Sequence, residues 1–284
     1  MNAQGAVRRS SVATLQGFRD AGQRFAVLTA YDRATAELAE AAEIHAILVG
    51  DSLAQVALGH ESTVRVGMNE MLHHVAAVVR SSRTALVIAD MPFLSYVDVA
   101  TAATNASAFL RDAGAGAVKL EGGAEMAPIV RALVESGVPV IGHIGFTPQS
   151  ALQLDRARAQ GKEPAAAEQL LADALALQAA GAAAIVIELV PAELAALITQ
   201  RLTIPTIGIG AGAGCSGQVQ VVPDLLGILS GPPPRHAGEY ATLRDQALAG
   251  LTKWRADVAT GAFPTIAQSI PASDELRAAL ALME

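Results

Sequence analysis

Short apolar segments recur along the chain, and each is followed at once by a charged or strongly polar residue. They are rich in β-branched residues and too short for buried helices, so each predicts a strand that is buried on both faces. A carboxylate at the end of such a strand is costly to bury unless it binds something. The segments and the residues that follow them are 46–50 with Asp51 and Ser52, 85–89 with Asp90, 117–118 with Lys119 and Glu121, 138–142 with His143, and 184–187 with Glu188.

Alanine-rich helical segments separate these strands, so that about eight strand–helix units follow one another without a reversal of the pattern. Such alternation indicates a parallel sheet, and eight units in about 250 residues fit a closed (β/α)8 TIM barrel. A doubly wound open sheet is the alternative, but it would place a ligand at one switch point served by few strands. Polar residues end the first six predicted strands, which favours the closed barrel.

We expect a single (β/α)8 barrel domain over residues 1–284, with a short helix at 12–23 before the barrel and a helical arm after it. The seventh and eighth strands are predicted at 204–207 and 219–222. Asn69 is predicted to cap the helix that follows it, because its side chain can accept from a free backbone N–H.

The composition indicates a protein with a large core. Apolar residues make up 52% of the 284 positions and charged residues 17%, which excludes wholesale disorder. The net charge of −7 without a basic stripe argues against a nucleic-acid-binding protein. Cys215 is the single cysteine, which excludes an intrachain disulfide and a cysteine-based zinc site. The sequence has no signal-peptide pattern and no apolar run of membrane-spanning length, so a cytoplasmic protein without membrane contact is expected.

Asp51 and Asp90 are the most informative pair of polar strand ends. Two carboxylates on neighbouring strand ends suit a hard divalent cation, and magnesium takes one or two protein carboxylates while leaving positions for water and substrate oxygens. Each carboxylate taken alone is equally well explained as a helix N-cap or as part of a loop salt bridge. The two together, with Ser52 beside one of them, favour a metal site.

Lys119 and Glu121 are two positions apart on one predicted strand, so their side chains share a face. In a closed barrel that face is the interior. A lysine there could bind a carboxylate or an enolate, whereas the alternative is a structural ion pair. The functional interpretation is favoured because the pair lies next to the proposed metal site.

Glu188 ends a strand that is otherwise apolar, and it is interpreted as a general base. The carboxylates at positions 51, 90, 121 and 188 carry −4, against +3 from Lys119 and a divalent ion. An anionic substrate, crowding and desolvation would then raise the pKa of a carboxylate toward the range useful for a base. The alternative is that Glu188 caps the helix after Pro191. His143 either donates a hydrogen bond to a substrate oxygen or is a satisfied core histidine, and the residue alone leaves both open.

Glycine stands at every second position from Gly208 to Gly214, directly after a predicted strand. The segment matches neither the dinucleotide-binding fingerprint nor a P-loop. Such a loop after the seventh strand of a barrel can hold phosphate, or its glycines can allow close packing of the backbone. The sequence leaves both open.

Seven short motifs stand at or near the predicted strand ends. They are Thr29-Ala30-Tyr31-Asp32, Val49-Gly50-Asp51-Ser52-Leu53, Gly59-His60-x-Ser62-Thr63, Ala89-Asp90-x-Pro92-Phe93, Val118-Lys119-Leu120-Glu121-Gly122-Gly123, Gly142-His143-Ile144-Gly145-x-Thr147-Pro148-Gln149-Ser150 and Ile207-Gly208-Ile209-Gly210-Ala211-Gly212. Their sequences and their order closely resemble the 3-methyl-2-oxobutanoate hydroxymethyltransferase family. The resemblance extends beyond the motifs and covers residues 12 to 264.

The resemblance implies a barrel of the phosphoenolpyruvate/pyruvate superfamily type. It implies an enzyme that transfers a hydroxymethyl group from 5,10-methylenetetrahydrofolate to 3-methyl-2-oxobutanoate and forms ketopantoate for pantothenate and coenzyme A synthesis. The implied route passes through a Mg²⁺-stabilised enolate, with one Mg²⁺ per subunit. The resemblance also implies a homo-oligomer, a decamer.

Roles carried over motif by motif agree with those inferred above from position. The resemblance assigns metal binding to Asp51, Asp90 and, through water, Glu121; substrate binding to Ser52, Lys119 and His143; and proton abstraction to Glu188.

Two other functions are considered. A magnesium-dependent lyase or decarboxylase of another 2-oxo acid in the same superfamily would keep the metal site and lose folate dependence. A catalytically idle barrel that serves as a binding or assembly subunit is disfavoured by the intact Asp51, Asp90, Lys119 and Glu188. Residues 150–162 depart most from the family pattern, as they would in a divergent second copy of the enzyme. The same residues are interpreted as a lid, because long loops at the catalytic end of a barrel often close over the site.

Overall fold

The computed structural model describes residues 9–150 and 158–283, and its central element is a closed barrel of eight parallel strands in sequential order. The strands are β1 (Phe25–Thr29), β2 (Ala46–Val49), β3 (Leu86–Asp90), β4 (Ala117–Glu121), β5 (Val140–Gly145), β6 (Ala184–Glu188), β7 (Thr206–Ile209) and β8 (Gly217–Gln220). Each strand pairs with its neighbours in sequence, and β8 closes the ring by pairing with β1. The ring confirms the predicted (β/α)8 barrel and rules out the open sheet.

Helices connect the strands and cover much of the outside of the barrel. They are α1 (Val12–Asp20), α2 (Arg33–Ala41), α3 (Leu53–Val56), α4 (Met68–Ser81), α5 (Val99–Ser107), α6 (Ala127–Glu135), α7 (Pro164–Ala179), α8 (Ala192–Arg201), α9 (Val222–Leu225), α10 (Leu243–Thr260) and α11 (Asp274–Ala281). Local capping sets some of these starts: the Asp98 carboxylate accepts from the N–H of Thr101 at the beginning of α5. Within residues 9–150 and 158–283, no helix is long and apolar enough to cross a membrane.

The alternation of side chains along the strands divides the buried apolar residues into two layers. One layer fills the barrel interior at every second strand position, such as Leu86 and Ile88 on β3. The residues between them, such as Val87, belong to a second cluster beneath the outer helices. Full burial of a side chain of this size contributes about 1.5–3 kcal/mol, so the two layers together supply most of the driving force for folding.

Helix α1 covers the amino end of the barrel. Leu15 is fully buried and belongs to the same interior cluster as Phe25 at the start of β1. On the exposed side of α1, the Gln16 amide donates to the carbonyl oxygen of Thr203 at 3.0 Å, and Arg19 donates to that of Leu202. The interior is therefore covered at this end, and the strands open toward solvent at their carboxyl ends.

Two predicted strand boundaries are wrong. Strand β7 begins and ends two residues later than predicted, because Pro205 has no N–H for a sheet ladder while Gly208 pairs with β6. Strand β8 begins and ends two residues earlier than predicted, because pairing of Gly217 and Gln218 with both neighbouring strands decides its position, and hydrophobicity does not.

The predicted cap of α4 is also wrong. The helix begins at Met68, so Asn69 lies inside its first turn. Gly67 occupies the N-cap, and its N–H donates to the Glu70 carboxylate at 3.0 Å. An acidic side chain of the first turn thus accepts from the N–H of the N-cap residue, as the acidic residue of a capping box does.

The C-terminal helices α10 and α11 contain no buried residue. Leu248, Leu251, Trp254 and Val258 recur at helical spacing along one side of α10, and each is about half exposed, at 53%, 63%, 54% and 47%. This apolar stripe is not covered by any described part of the chain.

Candidate active site

The interior positions of the strands change from apolar to polar at the carboxyl ends. On β3 the series Leu86, Ile88 ends in Asp90, and on β6 the series Ala184, Val186 ends in Glu188. These polar groups stand above the apolar layer, at the end where barrel enzymes place their active sites. One cavity of about 530 Å³ is lined by all seven site residues predicted from sequence: Asp51, Ser52, Asp90, Lys119, Glu121, His143 and Glu188.

Asp51 and Asp90 are buried and held side by side. The backbone N–H of Asp51 donates to Oδ2 of Asp90 at 3.0 Å, and the side-chain amide of Gln149 donates to Oδ2 of Asp51 at 3.0 Å. Burial, followed by the negative charges of Asp90 and Glu121, raises the pKa of Asp51 well above its usual range. Burial also raises the pKa of Asp90, although Lys119 opposes the shift. A further cation would stabilise the charged form of both.

Strand register places Lys119 among the carboxylates. β3 pairs with β4 so that Asp90 is opposite Lys119, and β4 pairs with β5 so that Glu121 is opposite His143. Nζ of Lys119 lies 2.8 Å from Oδ1 of Asp90, 3.6 Å from Oε1 of Glu121 and 3.2 Å from Nδ1 of His143. Burial alone would lower the pKa of Lys119, but the charges of Asp90, Glu121 and Asp51 raise it, so the ammonium stays protonated.

His143 stands between two glutamates. Its Nδ1 is 3.3 Å from Oε1 of Glu121, and its Nε2 is 3.3 Å from Oε2 of Glu188. Burial and the Lys119 ammonium disfavour the protonated ring, but the contacts with both glutamates outweigh them and raise the pKa of His143 to about 9. Neither contact has the alignment of a hydrogen bond, and Nε2 has no hydrogen-bond partner among the described residues.

The surrounding charges do not shift the pKa of every carboxylate of the site in the same direction. Burial alone would raise the pKa of Glu121, but Lys119 and His143 lower it below its usual value. At Asp51 and Asp90, by contrast with Glu121, the pKa is raised.

Ser52 and Glu188 are the less buried members of the site. Oγ of Ser52 lies 2.9 Å from the hydroxyl of Tyr31, and burial raises the pKa of Tyr31, which therefore stays a neutral phenol. Glu188 is the last residue of β6, and the next residue, Leu189, has a φ of 48°, a left-handed conformation that is uncommon for leucine. The chain therefore turns sharply away directly after the Glu188 side chain.

The carboxylates are arranged for a cation that keeps open positions. Oδ1 of Asp90 and Oε1 of Glu121 are buried and share the Lys119 ammonium, which lies 2.8 Å from the first and 3.6 Å from the second; neither oxygen has a further aligned hydrogen bond in the described part of the chain. One ammonium thus serves two buried carboxylates, and buried charges are costly unless they are paired. No group of three or more His, Cys, Asp or Glu side chains in the described ranges could by itself hold a metal ion. A cation that takes one or two carboxylates, with water and substrate oxygens completing its shell, fits this donor set, and Mg²⁺ binds in this way.

Two residues of the site region were not assigned a role from sequence. Gln149 and Tyr96 are buried and joined by a hydrogen bond of 2.6 Å from the Tyr96 hydroxyl to Oε1 of Gln149. Tyr96 lies in the loop after β3, and Gln149 lies in a short helical turn after β5. A Thr-Pro-Gln turn directly after a strand end was a signal for Gln149, whereas nothing in the pattern indicated Tyr96.

Asp224 and His236 line another part of the same cavity, in the segment that follows β8. Burial raises the pKa of Asp224, while His236 opposes the shift. Neither residue was predicted, because neither follows an apolar strand directly. They add a carboxylate and an imidazole to the cavity away from the Asp51–Asp90 pair.

The glycine-rich segment after β7 is explained by close packing. A Cβ atom on Gly214 would lie 2.7 Å from Cβ of Ala196, and one on Gly212 would collide with Ala192. Both alanines belong to α8. The glycines therefore let this segment approach the helix, which is the packing interpretation of the two left open by the sequence.

Part of the stretch interpreted as a lid, residues 151–157, lies outside the described residues. Beyond it, the N–H of Gln160 donates to the carbonyl oxygen of Leu189 at 2.8 Å. Leu189 lines the cavity, so this end of the connection is held against the cavity wall.

Solved structures with low sequence identity share the architecture. A 2,3-dimethylmalate lyase, a member of the PEP mutase/isocitrate lyase superfamily, has a TM-score of 0.57 at 16% identity, over 98% of this chain and 100% of that chain. A phosphonopyruvate hydrolase in complex with oxalate and Mg²⁺ has a TM-score of 0.59 at 14% identity, over 96% of this chain and 97% of that chain. These likenesses show that the barrel fold is shared.

Sequence comparisons give a closer relationship. The chain is 56% identical over 256 residues to the 3-methyl-2-oxobutanoate hydroxymethyltransferase of Chloroflexus aggregans, which covers 90% of this chain and 91% of that protein. The enzyme of the same name from Dehalococcoides mccartyi is 50% identical over 262 residues, 92% of this chain and 94% of that protein. The family model for ketopantoate hydroxymethyltransferase matches residues 9–266. On this evidence the chain belongs to the ketopantoate hydroxymethyltransferase family.

Proposed function

We propose that the chain forms ketopantoate with 5,10-methylenetetrahydrofolate as the donor and with Mg²⁺ bound at the carboxyl end of the barrel. Membership of the family makes the chain an enzyme, a hydroxymethyltransferase that acts on 3-methyl-2-oxobutanoate. The donor, the metal and the residue roles are the parts we propose. The observation that carries them is the meeting of Lys119, His143 and the carboxylates of four strand ends, Asp51, Asp90, Glu121 and Glu188, in one cavity.

Asp51 and Asp90 would hold the cation, and Glu121 would reach it through water. Asp51 and Asp90 each have Oδ2 engaged by a donor of the chain, and Oδ1 of Asp90 lies 2.8 Å from the Lys119 ammonium, with which a cation would share it. When bound, Mg²⁺ supplies Lewis-acid chemistry that makes the proton next to a keto group easier to remove. The solved barrel that contains Mg²⁺ together with oxalate, a small acid, is consistent with this assignment.

Three side chains are suited to hold the anionic keto acid. Lys119 keeps its positive charge in the crowded site and can attract the carboxylate of the substrate and the charge that develops on its keto oxygen. Ser52, oriented by the Tyr31 hydroxyl, can donate to a substrate oxygen. Nε2 of His143 has no hydrogen-bond partner in the described part of the chain and can donate to another.

Glu188 is the proposed base. It is the least buried carboxylate of the four, with 15% of its side chain exposed, so its oxygens can reach the substrate. It removes the proton from C3 of the keto acid, and the resulting enolate attacks the methylene carbon of the donor. A carbon–carbon bond forms as one of the two carbon–nitrogen bonds of the methylene carbon breaks, and water then displaces the second nitrogen and supplies the hydroxyl oxygen. The two folate nitrogens end with two protons, one from C3 and one from water. Nε2 of His143 lies 3.3 Å from Oε2 of Glu188, so the proposed base is adjacent to the side chain proposed to donate to the substrate.

The test of this function is exchange of the C3 proton. In D₂O with Mg²⁺ and without folate, the parent chain is expected to exchange the C3 proton of 3-methyl-2-oxobutanoate, followed by proton NMR. Glu188→Gln is expected to slow the exchange by about 10²–10⁴-fold, because a positioned base contributes that much. Glu193→Gln is the matched control, since Glu193 is exposed in the first turn of α8, and it is expected to exchange like the parent.

The outcomes separate this proposal from the two alternatives. Exchange followed by folate-dependent formation of ketopantoate supports the proposal. Exchange without a folate-dependent product would favour a lyase or decarboxylase of another 2-oxo acid. A folded parent chain that shows no exchange with Mg²⁺ would contradict the enolate chemistry and favour an idle barrel.

We also propose that the chain is a homo-oligomer, with the ten subunits that the resemblance implies, and that α10 contributes to its interface. The occupant of the apolar stripe on α10 is a second copy of this chain, because the stripe extends beyond the barrel with no buried residue. Trp254→Glu is expected to lower the mass measured by light scattering, whereas Arg255→Glu, also exposed on α10, is the control. An unchanged mass in Trp254→Glu would contradict the assignment of α10 to the interface.

A further inference from the structure

Gln149 joins the ends of three strands through one buried residue. Its Nε2 donates to Oδ2 of Asp51 at 3.0 Å and to the carbonyl oxygen of Met91 at 2.9 Å, and its Oε1 accepts from the Tyr96 hydroxyl at 2.6 Å. Its backbone N–H donates to Oε2 of Glu121 at 3.0 Å. Gln149 is only 4% exposed, so the loss of these bonds would leave buried polar groups unsatisfied.

The partners of the amide determine its orientation. A backbone carbonyl accepts and cannot donate, so the carbonyl of Met91 must face the NH₂ group of Gln149. The Tyr96 hydroxyl accepts from the N–H of Glu121 at 3.3 Å and donates its own proton to Oε1 of Gln149. Both hydrogens and the oxygen of the amide are therefore engaged, and such a fully satisfied network favours one conformation.

We propose that Gln149 is a positioning residue for the cation site, holding one oxygen each of Asp51 and Glu121 so that the other oxygen of each remains for the cation. The inference rests on the cation site of the proposed function. Oε1 of Glu121, the oxygen that Gln149 does not bind, has no hydrogen-bond partner among the described residues. Gln149 lies behind the residues that line the cavity, so it acts through the carboxylates and does not touch the substrate.

A positioning role and a packing role predict different measurements. Removal of a residue that forms a hydrogen bond to a metal ligand typically weakens metal binding by about 10- to 100-fold. A residue that only fills space would lower the stability of the fold, and the protein that remains folded would bind a cation as before. The cation affinity of the folded chain therefore distinguishes the two roles without any measurement of catalysis.

The substitution Gln149→Met keeps a long unbranched side chain and the backbone N–H that donates to Glu121, and it removes the two donors and the acceptor of the side-chain amide. Its Mn²⁺ affinity, measured by electron paramagnetic resonance without substrate, is expected to be about 10- to 100-fold weaker than that of the parent. Gln16→Met is the matched control, because the exposed Gln16 amide also donates to a carboxylate, that of Asp20, at the other end of the barrel. Its Mn²⁺ affinity is expected to equal that of the parent.

Tyr96→Phe is the second variant, and it removes the hydroxyl that holds the Gln149 carbonyl. It is expected to weaken Mn²⁺ binding less than Gln149→Met, and to add little to the loss in the double variant, because Tyr96 acts largely through Gln149. It also carries the test if Gln149→Met does not fold.

Two results would overturn the inference in distinguishable ways. Unchanged Mn²⁺ affinity in folded Gln149→Met, or in Tyr96→Phe where it alone folds, refutes the positioning role and leaves the proposed function intact. A parent chain that binds no Mn²⁺ contradicts the cation site of the proposed function, and the role of Gln149 with it.

Discussion

Replacement of Lys119 by methionine is expected to tighten cation binding while it slows the removal of the C3 proton. The ammonium lies 2.8 Å from Oδ1 of Asp90 and 3.6 Å from Oε1 of Glu121, so it competes with a cation for the same oxygens. A divalent ion about 2 Å from Oδ1 of Asp90 would stand at most about 5 Å from Nζ and would be repelled by about 7 kcal/mol at an effective dielectric constant of about 20. Once the lysine is gone, proton uptake by Asp51 or Asp90 offsets much of this gain.

The expected net result is an Mn²⁺ affinity at least about tenfold tighter, or about 1.4 kcal/mol, measured by electron paramagnetic resonance on the folded variant. The rate of C3-proton exchange is expected to fall about 10²–10³-fold, since a charged donor aimed at developing negative charge is lost. Lys253→Met removes the same charge from an exposed pair with Asp257 on α10 and is expected to change neither quantity. Unchanged or weaker Mn²⁺ binding in folded Lys119→Met would refute the competition between the lysine and the cation.

Two further predictions concern stability. Leu15→Ala truncates the side chain that fills the amino end of the barrel, and it is expected to lower the free energy of unfolding by about 3 kcal/mol in urea titrations. A loss below about 1 kcal/mol would show that the interior collapses around the gap. Partial burial alone would raise the pKa of Glu40, but hydrogen bonds from Ala85 and Thr84 lower it. Because the pKa is lower in the folded chain, Glu40 stabilises the fold above its unfolded-state pKa, and this contribution is lost as the pH falls through the folded-state pKa. Glu40→Gln is therefore expected to destabilise by about 1–2 kcal/mol at pH 7 and to match the parent in acid; an equal effect of the exposed control Glu37→Gln would contradict this.

Much of the fold and of the site could be predicted because both depend on a local repeat. A strand that is buried on both faces has a continuous apolar sequence. A polar residue at its end, such as Asp90 or Glu188, is therefore easy to recognise in the sequence. Closing the barrel then brings together residues that are far apart in sequence, without further information. The seventh strand was misplaced because apolar character is a poor guide where Pro205 interrupts the ladder and Gly208 continues it.

The residues behind the site could not be predicted in this way. Gln149 is 98 positions from Asp51 and 28 from Glu121, and it lies in a loop, where no periodicity reports which side chain is buried. Tyr96 is likewise placed by tertiary contacts alone. The pairing of Glu121 with His143 required the register between β4 and β5, which depends on the whole barrel.

Helix α1, which places Leu15 in the amino end of the barrel, has a consequence for the order in which the substrates bind. Because α1 covers the amino end of the barrel, both substrates must use the carboxyl end of the strands. In the proposed function the keto acid binds beside Asp51 and Lys119, so we expect it to bind before the larger donor and the spent donor to leave before the product. Isothermal titration is expected to detect binding of the keto acid with Mg²⁺ alone and tight binding of folate only once the keto acid is present. Equal folate binding with and without the keto acid would show that the two share the barrel mouth without obstructing each other.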